Sequence, residues 1–112
     1  MDDKITDVLL EHLKNNHIGK RNAASSKTLE AIFNVNGRGI RRYINLLRID
    51  GFPVCSDEAG YYYAASKKEL GNTVTRLSNL INEISKARNG LLFSGKCLEE
   101  ESIVEINIII RR

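Results

Sequence analysis

The chain has 112 residues, 42% of them hydrophobic and 28% charged, with a formal net charge of +3. That length fits one small domain, or one domain plus an oligomerisation element. It contains no apolar run of about 18 residues and no secretory pattern after Met1, so neither membrane insertion nor secretion is predicted and a cytoplasmic location is expected.

A first helix is predicted over Asp3–Asn16, where Ile5, Val8, Leu9 and Leu13 form one apolar stripe. Asn15, Asn16, His17 and Gly19 stop it, and Lys20–Ala24 reads as a polar connector. Ser25 or Ser26 can cap a second helix, whose apolar positions are Leu29, Ile32 and Phe33. Asn34 tolerates the left-handed backbone of a tight helix exit, and Asn36 can cap a third helix after Val35.

The third helix is predicted from Gly37 to Ile49. Ile40, Ile44 and Leu47 share one face, and Arg38, Arg41, Asn45 and Arg48 the opposite one, with Arg42 beside them. Gly51 ends it, and Phe52-Pro53 switches the chain to extended geometry. A hairpin follows, with Val54-Cys55 and Tyr61–Tyr63 as strands and Asp57–Gly60 as the turn. Alternation places Tyr62 on one face and Tyr61 and Tyr63 on the other, with at least one of them in the core.

Ser66 caps a long predicted helix running from Lys67 to about Asn89 and ended by Gly90. Leu70, Val74, Leu77, Ile81, Ile84 and Leu91 fall on a four-three seam interrupted only by Arg88, suited to a twin helix or to the domain itself. Beyond it, 103–110 is a strand candidate with Val104, Ile106, Ile108 and Ile110 on one face, or else a tail. The expected architecture is mainly α with a small β wing, organised as residues 1–65, a dimerisation helix at 66–91 and a tail at 92–112.

The order helix, helix, turn, helix, hairpin, long helix is the sequence form of a winged helix. Residues 25–48, SSKTLEAIFNVNGRGIRRYINLLR, resemble the helix-turn-helix of biotin-operon-repressor-like and sugar-regulator-like winged-helix proteins. Residues 51–64, GFPVCSDEAGYYYA, look like the wing of the same group, with Leu47, Arg48, Gly51, Gly60 and Tyr61 at its marker positions. The group has a small residue where Glu30 stands and glycine where Asn34 stands. The compact arrangement is similar to small phage or mobile-element regulators and replication accessory proteins.

This resemblance implies a sequence-specific protein of double-stranded DNA, a transcriptional regulator. A homodimer through Leu70, Val74, Leu77, Ile81, Ile84 and Leu91 is expected, because one small domain offers few base contacts and symmetry doubles them. The residues argue the same way independently. Between Arg38 and Arg48 stand four arginines and no acidic residue, a concentration suited to a polyanion. Arg38 and Arg41 suit bidentate contacts to guanine, and Asn45 suits adenine or a phosphate. Arg42 and Arg48 suit the backbone, as do Lys27, Lys20 and Arg21 at the flanks; Asn36 completes the set at the start of the helix. Arg48 is a candidate for structural duty, at the helix end or with Asp50.

The alternative is a protein-docking winged helix, such as a phage accessory or inhibitor protein that binds a host or replication protein. The acidic turn residues Asp57 and Glu58 favour it, since they repel phosphate. Cys55 and Cys97 are too isolated for a zinc site and are expected as reduced, small apolar residues; no metal and no cofactor is predicted. His12 and His17 lack a nucleophile at hand, Gly37-Arg38-Gly39 lacks the flanks of a phosphate loop, and no enzyme activity is expected.

Overall fold

The computed structural model describes residues 2–95 and 98. The strand candidate at 103–110 and Cys97 lie outside the described residues. Among those described there are four α-helices and one two-stranded antiparallel sheet: α1 (Asp2–Asn16), α2 (Ser26–Phe33), α3 (Gly37–Ile49), β1 (Val54–Asp57), β2 (Gly60–Tyr63) and α4 (Lys67–Ser94). The chain is thus mainly helical with a small sheet.

Contacts divide it into residues 1–74 and 75–112. The first unit holds the core. Leu9 and Leu13 of α1, Leu29 of α2, Ile40, Ile44 and Leu47 of α3 and Val54 of β1 are all essentially buried in it. Burial of each such side chain contributes about 1.5–3 kcal/mol. The buried stripe of α1 differs from the sequence expectation, because Thr6 and Leu10 are buried whereas Val8 is half-exposed. Positions 6, 9, 10 and 13 are the i, i+3, i+4, i+7 set that one face of α1 presents to α3. Ile32 of α2 likewise faces outward, and Phe33 is half-buried.

Local chemistry fixes the helix ends. The Ser25 hydroxyl accepts from Thr28 N at 3.1 Å and caps α2. Asn34 takes the left-handed conformation (φ 54°), turning the chain between α2 and α3. Asn36 Oδ1 accepts from Gly39 N at 2.9 Å and caps α3. Glu30 fits this tight passage because position 37 has no side chain. Its carboxylate lies 3.2 Å from where a Cβ on Gly37 would sit, and accepts from the Ser26 hydroxyl at 2.8 Å.

The sheet pairs Val54 with Tyr63 and Cys55 with Tyr62, closing on Asp57 opposite Gly60. Asp57 Oδ1 accepts from Ala59 N at 2.8 Å and shapes the turn. On its other edge β2 meets the connector: Ala24 and Tyr61 exchange two backbone bonds of 2.8 Å, and Gly19 and His17 bond Tyr63 at 2.8 Å. The connector itself carries a 3-10 turn at Lys20–Asn22. The two sheet faces do different work. Val54, Tyr61 and Tyr63 pack toward the helical core, while Cys55 and Tyr62 are buried on the other face. There Cys55 Sγ lies 3.7 Å from Glu69 O, and Ser56 N donates to Thr73 Oγ1 at 3.3 Å. Burial pushes both the Cys55 thiol and the Tyr62 phenol up from their ordinary values.

The first two turns of α4 therefore belong to the first unit. Glu69 ties them down, its carboxylate accepting from Lys20 N at 3.0 Å and Ala65 N at 2.8 Å. Those bonds hold its carboxyl below the usual range. In the second unit α4 continues to Ser94, past the end expected at Gly90. A glycine with open space around it costs a helix about 1 kcal/mol without breaking it. Leu91, Leu92 and Phe93, good or adequate helix formers, carry the turn onward.

Gly60 is the position with least freedom. Its φ is +129°, and a Cβ there would clash with the Ala24 carbonyl oxygen. A Gly60→Ala substitution is expected to lower unfolding free energy by about 2–4 kcal/mol. Gly71→Ala, helical and in open space, is expected to raise it by up to about 1 kcal/mol. Urea titrations of both variants check the contrast.

Candidate nucleic-acid interface

The amphipathic character of α3 places its charged side chains. With Ile40, Ile44 and Leu47 almost wholly buried, the opposite side must face solvent. Arg38, Arg42, Asn45 and Ile49 fall within an arc of about 60° on that side, at 100° per residue, and Arg41 lies at its margin. All five are exposed. Ile49, at 79%, is the most exposed large apolar side chain among the described residues, and sequence pattern assigned it no role. It occupies the centre of the arginine face, a position legible only once the buried face is fixed.

Among the described residues no hydrogen bond or ion pair ties Arg38, although the Arg41 guanidinium leans back toward Gly37, near Glu30. Lys27, in the first turn of α2, and Arg21, in the 3-10 turn, are also exposed. Asn36 is committed through its Oδ1 to capping α3. The acidic groups on these elements are few: Glu30 is half-buried against Gly37, and Asp50 follows the C-terminal end of α3.

Two cations of the basic set are engaged elsewhere. Lys20 Nζ lies 3.3 Å from Glu58 and 3.5 Å from Asp57, so the hairpin tip and the connector neutralise one another. The hydrogen bond and charge of Glu58, then the charge of Asp57, hold the Lys20 ammonium above its ordinary range. Arg48 is half-buried, donating Nε–H to the Val54 carbonyl at 2.8 Å and NH2 to the Ser56 hydroxyl at 2.9 Å. It clamps the end of α3 to β1.

The connector is held by two histidines that sequence reading left apart. His17 donates Nδ1–H to the Asn22 carbonyl at 2.7 Å, which leaves its Nε2 as an acceptor 3.1 Å from His12 Nε2. Asn16 Nδ2 lies 3.2 Å from His12 Nδ1, so a single direction of donation runs Asn16, His12, His17, Asn22. Phe33 of α2 meets the His12 ring edge-on at 5.6 Å. The spacing of five across a helix end was the available signal, and it is weak. Among the described residues no group of three or more His, Cys, Asp or Glu could hold a metal ion. Cys55 is a free, buried thiol.

The six expected seam residues of α4 are all exposed, from 37% at Leu77 to 72% at Leu91. No described helix is long and apolar enough to cross a membrane. Compared with protein-family models, curated proteins and solved structures, the chain matches none.

Burial, then the neighbouring His17, lowers the pKa of His12 from its model-compound value of 6.5. A folded value below the unfolded one means that this contribution to stability is complete above the unfolded pKa and is lost as pH falls. The urea midpoint is therefore expected to drop between about pH 7 and pH 5, and to drop less in His12→Gln. An unchanged acid decrement in the variant would remove the histidine pair from the account.

Proposed function

We propose that residues 1–65 form a winged helix-turn-helix that binds double-stranded DNA, with α3 as the recognition helix, in a transcriptional regulator that works as a homodimer through α4. The observation that carries this reading is the two-sidedness of α3: Arg38, Arg41, Arg42 and Asn45 exposed, against Ile40, Ile44 and Leu47 locked in the core. A helix of this width fits the major groove, and arginine at its N-terminal end suits guanine O6 and N7. Ile49 suits a thymine methyl on the same face. Lys27 and Arg21 serve flanking phosphates.

The order of elements supports the fold reading. α1, the single-residue strand at Ala24, α2, α3 and the β1–β2 hairpin follow one another as in a winged helix. The tip of this hairpin is short and acidic, so it contributes little to phosphate binding. The task proposed for this surface is recognition.

The same tip motivates a second reading, a protein-docking module. Asp57 and Glu58 neutralise Lys20, leaving the arginine face of α3 to meet an acidic protein surface. Electrophoretic retardation of a random-sequence duplex pool separates the two. DNA binding predicts retardation that weakens at least about 100-fold between about 50 and 200 mM salt. Arg38→Ala/Arg41→Ala is expected to weaken it at least about 30-fold. Absence of retardation at the lower salt would favour protein docking.

A further inference from the structure

We infer that α4 pairs with α4 of a second copy in the antiparallel sense. This rests on the self-association proposed above and adds its geometry. The seam alternates Val74, Ile81 and Arg88 with Leu70, Leu77, Ile84 and Leu91. Seven large apolar side chains from Leu70 to Leu91 are exposed on α4. Their exposed parts amount to roughly 700 Å² per copy, close to the ~800 Å² per partner of a stable interface.

The occupant follows from charge. In the second unit Arg76, Glu83 and Lys86 stand away from the seam on the heptad pattern, and Glu83 and Lys86 pair with each other at 3.3 Å. Within α4 the seam flanks of the second unit hold Ser78, Ser85 and Leu92 on one side and Leu80, Ala87 and Ser94 on the other, none of them charged. A face without flanking charges offers no code for an unlike charged partner, whereas a repeating apolar seam is complementary to itself.

Direction follows from Arg88 and from those flanks. In a parallel pair Arg88 would face the partner's Arg88, and the flank residue beside it, Ala87, carries no carboxylate to compensate. An antiparallel pair centred between Asn82 and Glu83 sets Ile81 against the partner's Ile84 and Arg88 against the partner's Leu77. The two guanidinium groups then sit about 16 Å apart along the axis, at 1.5 Å rise per residue. The flanks agree. Reversing one helix brings like flank to like, so Leu80 meets the partner's Ala87 and Ser78 meets the partner's Ser85. A parallel pair would press Leu80 on the partner's Ser85.

Thr75, Asn82 and Asn89 share one heptad position on the exposed side of α4, and cysteine at each can carry a nitroxide in a Cys97→Ser background of the full chain. Sedimentation of the DNA-free protein at about 100 µM is expected to give twice the monomer mass. Pulsed dipolar distances are expected to be shortest at Asn82 and longer at Thr75 and Asn89, whose pairs are offset by about 20 Å along the axis. Three equal distances would overturn the antiparallel direction while leaving the dimer intact. A monomer would overturn self-association itself. A monomer that dimerises only when residues 99–112 are removed would assign the seam to the chain's own C-terminal segment. With no DNA in the sample, none of these results bears on what α3 binds.

Discussion

The burial of Ile40, Ile44 and Leu47 against Leu9, Leu13 and Leu29 is the constraint from which the rest of the first unit follows. Three branched side chains at spacings of four and three fix the rotation of α3 about its own axis. Once that rotation is fixed, Arg38, Arg42 and Asn45 have one direction left, outward. The same packing fixes where α3 ends, and Arg48 then fastens that end to Val54 and Ser56 of β1. Hydrophobic burial supplies the energy; the guanidinium of Arg48 supplies the register between helix and hairpin.

A second consequence concerns which charges remain for a partner. The chain has an excess of cations, but their availability is uneven. Arg48 is consumed by backbone and hydroxyl acceptors, and Lys20 by the hairpin tip. These two sit toward the hairpin, whereas Arg38, Arg41, Arg42 and Lys27 are exposed on α3 and at the start of α2. Exposed pairs such as Lys20–Glu58 are worth little in stability. Their effect is on the field: they cancel positive charge at the tip while leaving it intact on the helix.

Much of the first unit was legible in the sequence because its signals are local. Ser25, Asn34, Asn36 and Gly51 mark helix ends through their own chemistry, and the 40-44-47 spacing reveals a face without reference to any other element. The α1 stripe was harder. Val8 and Leu10 both satisfy a helical pattern with Leu9 and Leu13, and only the position of α3 decides that Leu10 turns inward. Gly90 misled for a related reason: glycine is a stop signal when its backbone goes left-handed, and at this position the helix simply continues. Of the candidate site, the side-chain types and their common face were readable. The loss of Lys20 and Arg48 to internal partners was not, since both bonds depend on the hairpin folding back beside the connector and α3. The His12–His17 contact and the exposure of Ile49 needed the tertiary structure in the same way.

The central claim is that the outward side of α3 is the surface that meets a polyanion. Amide and guanidinium NMR shifts of the full protein, followed while a duplex selected from a random pool is added, test it most directly. The account expects the largest changes at Arg38, Arg41, Arg42 and Asn45, with smaller ones at Lys27 and Arg21 and little at Lys20 or Arg48. Changes centred on α1 or on the second unit, with α3 unmoved at saturation, would contradict it.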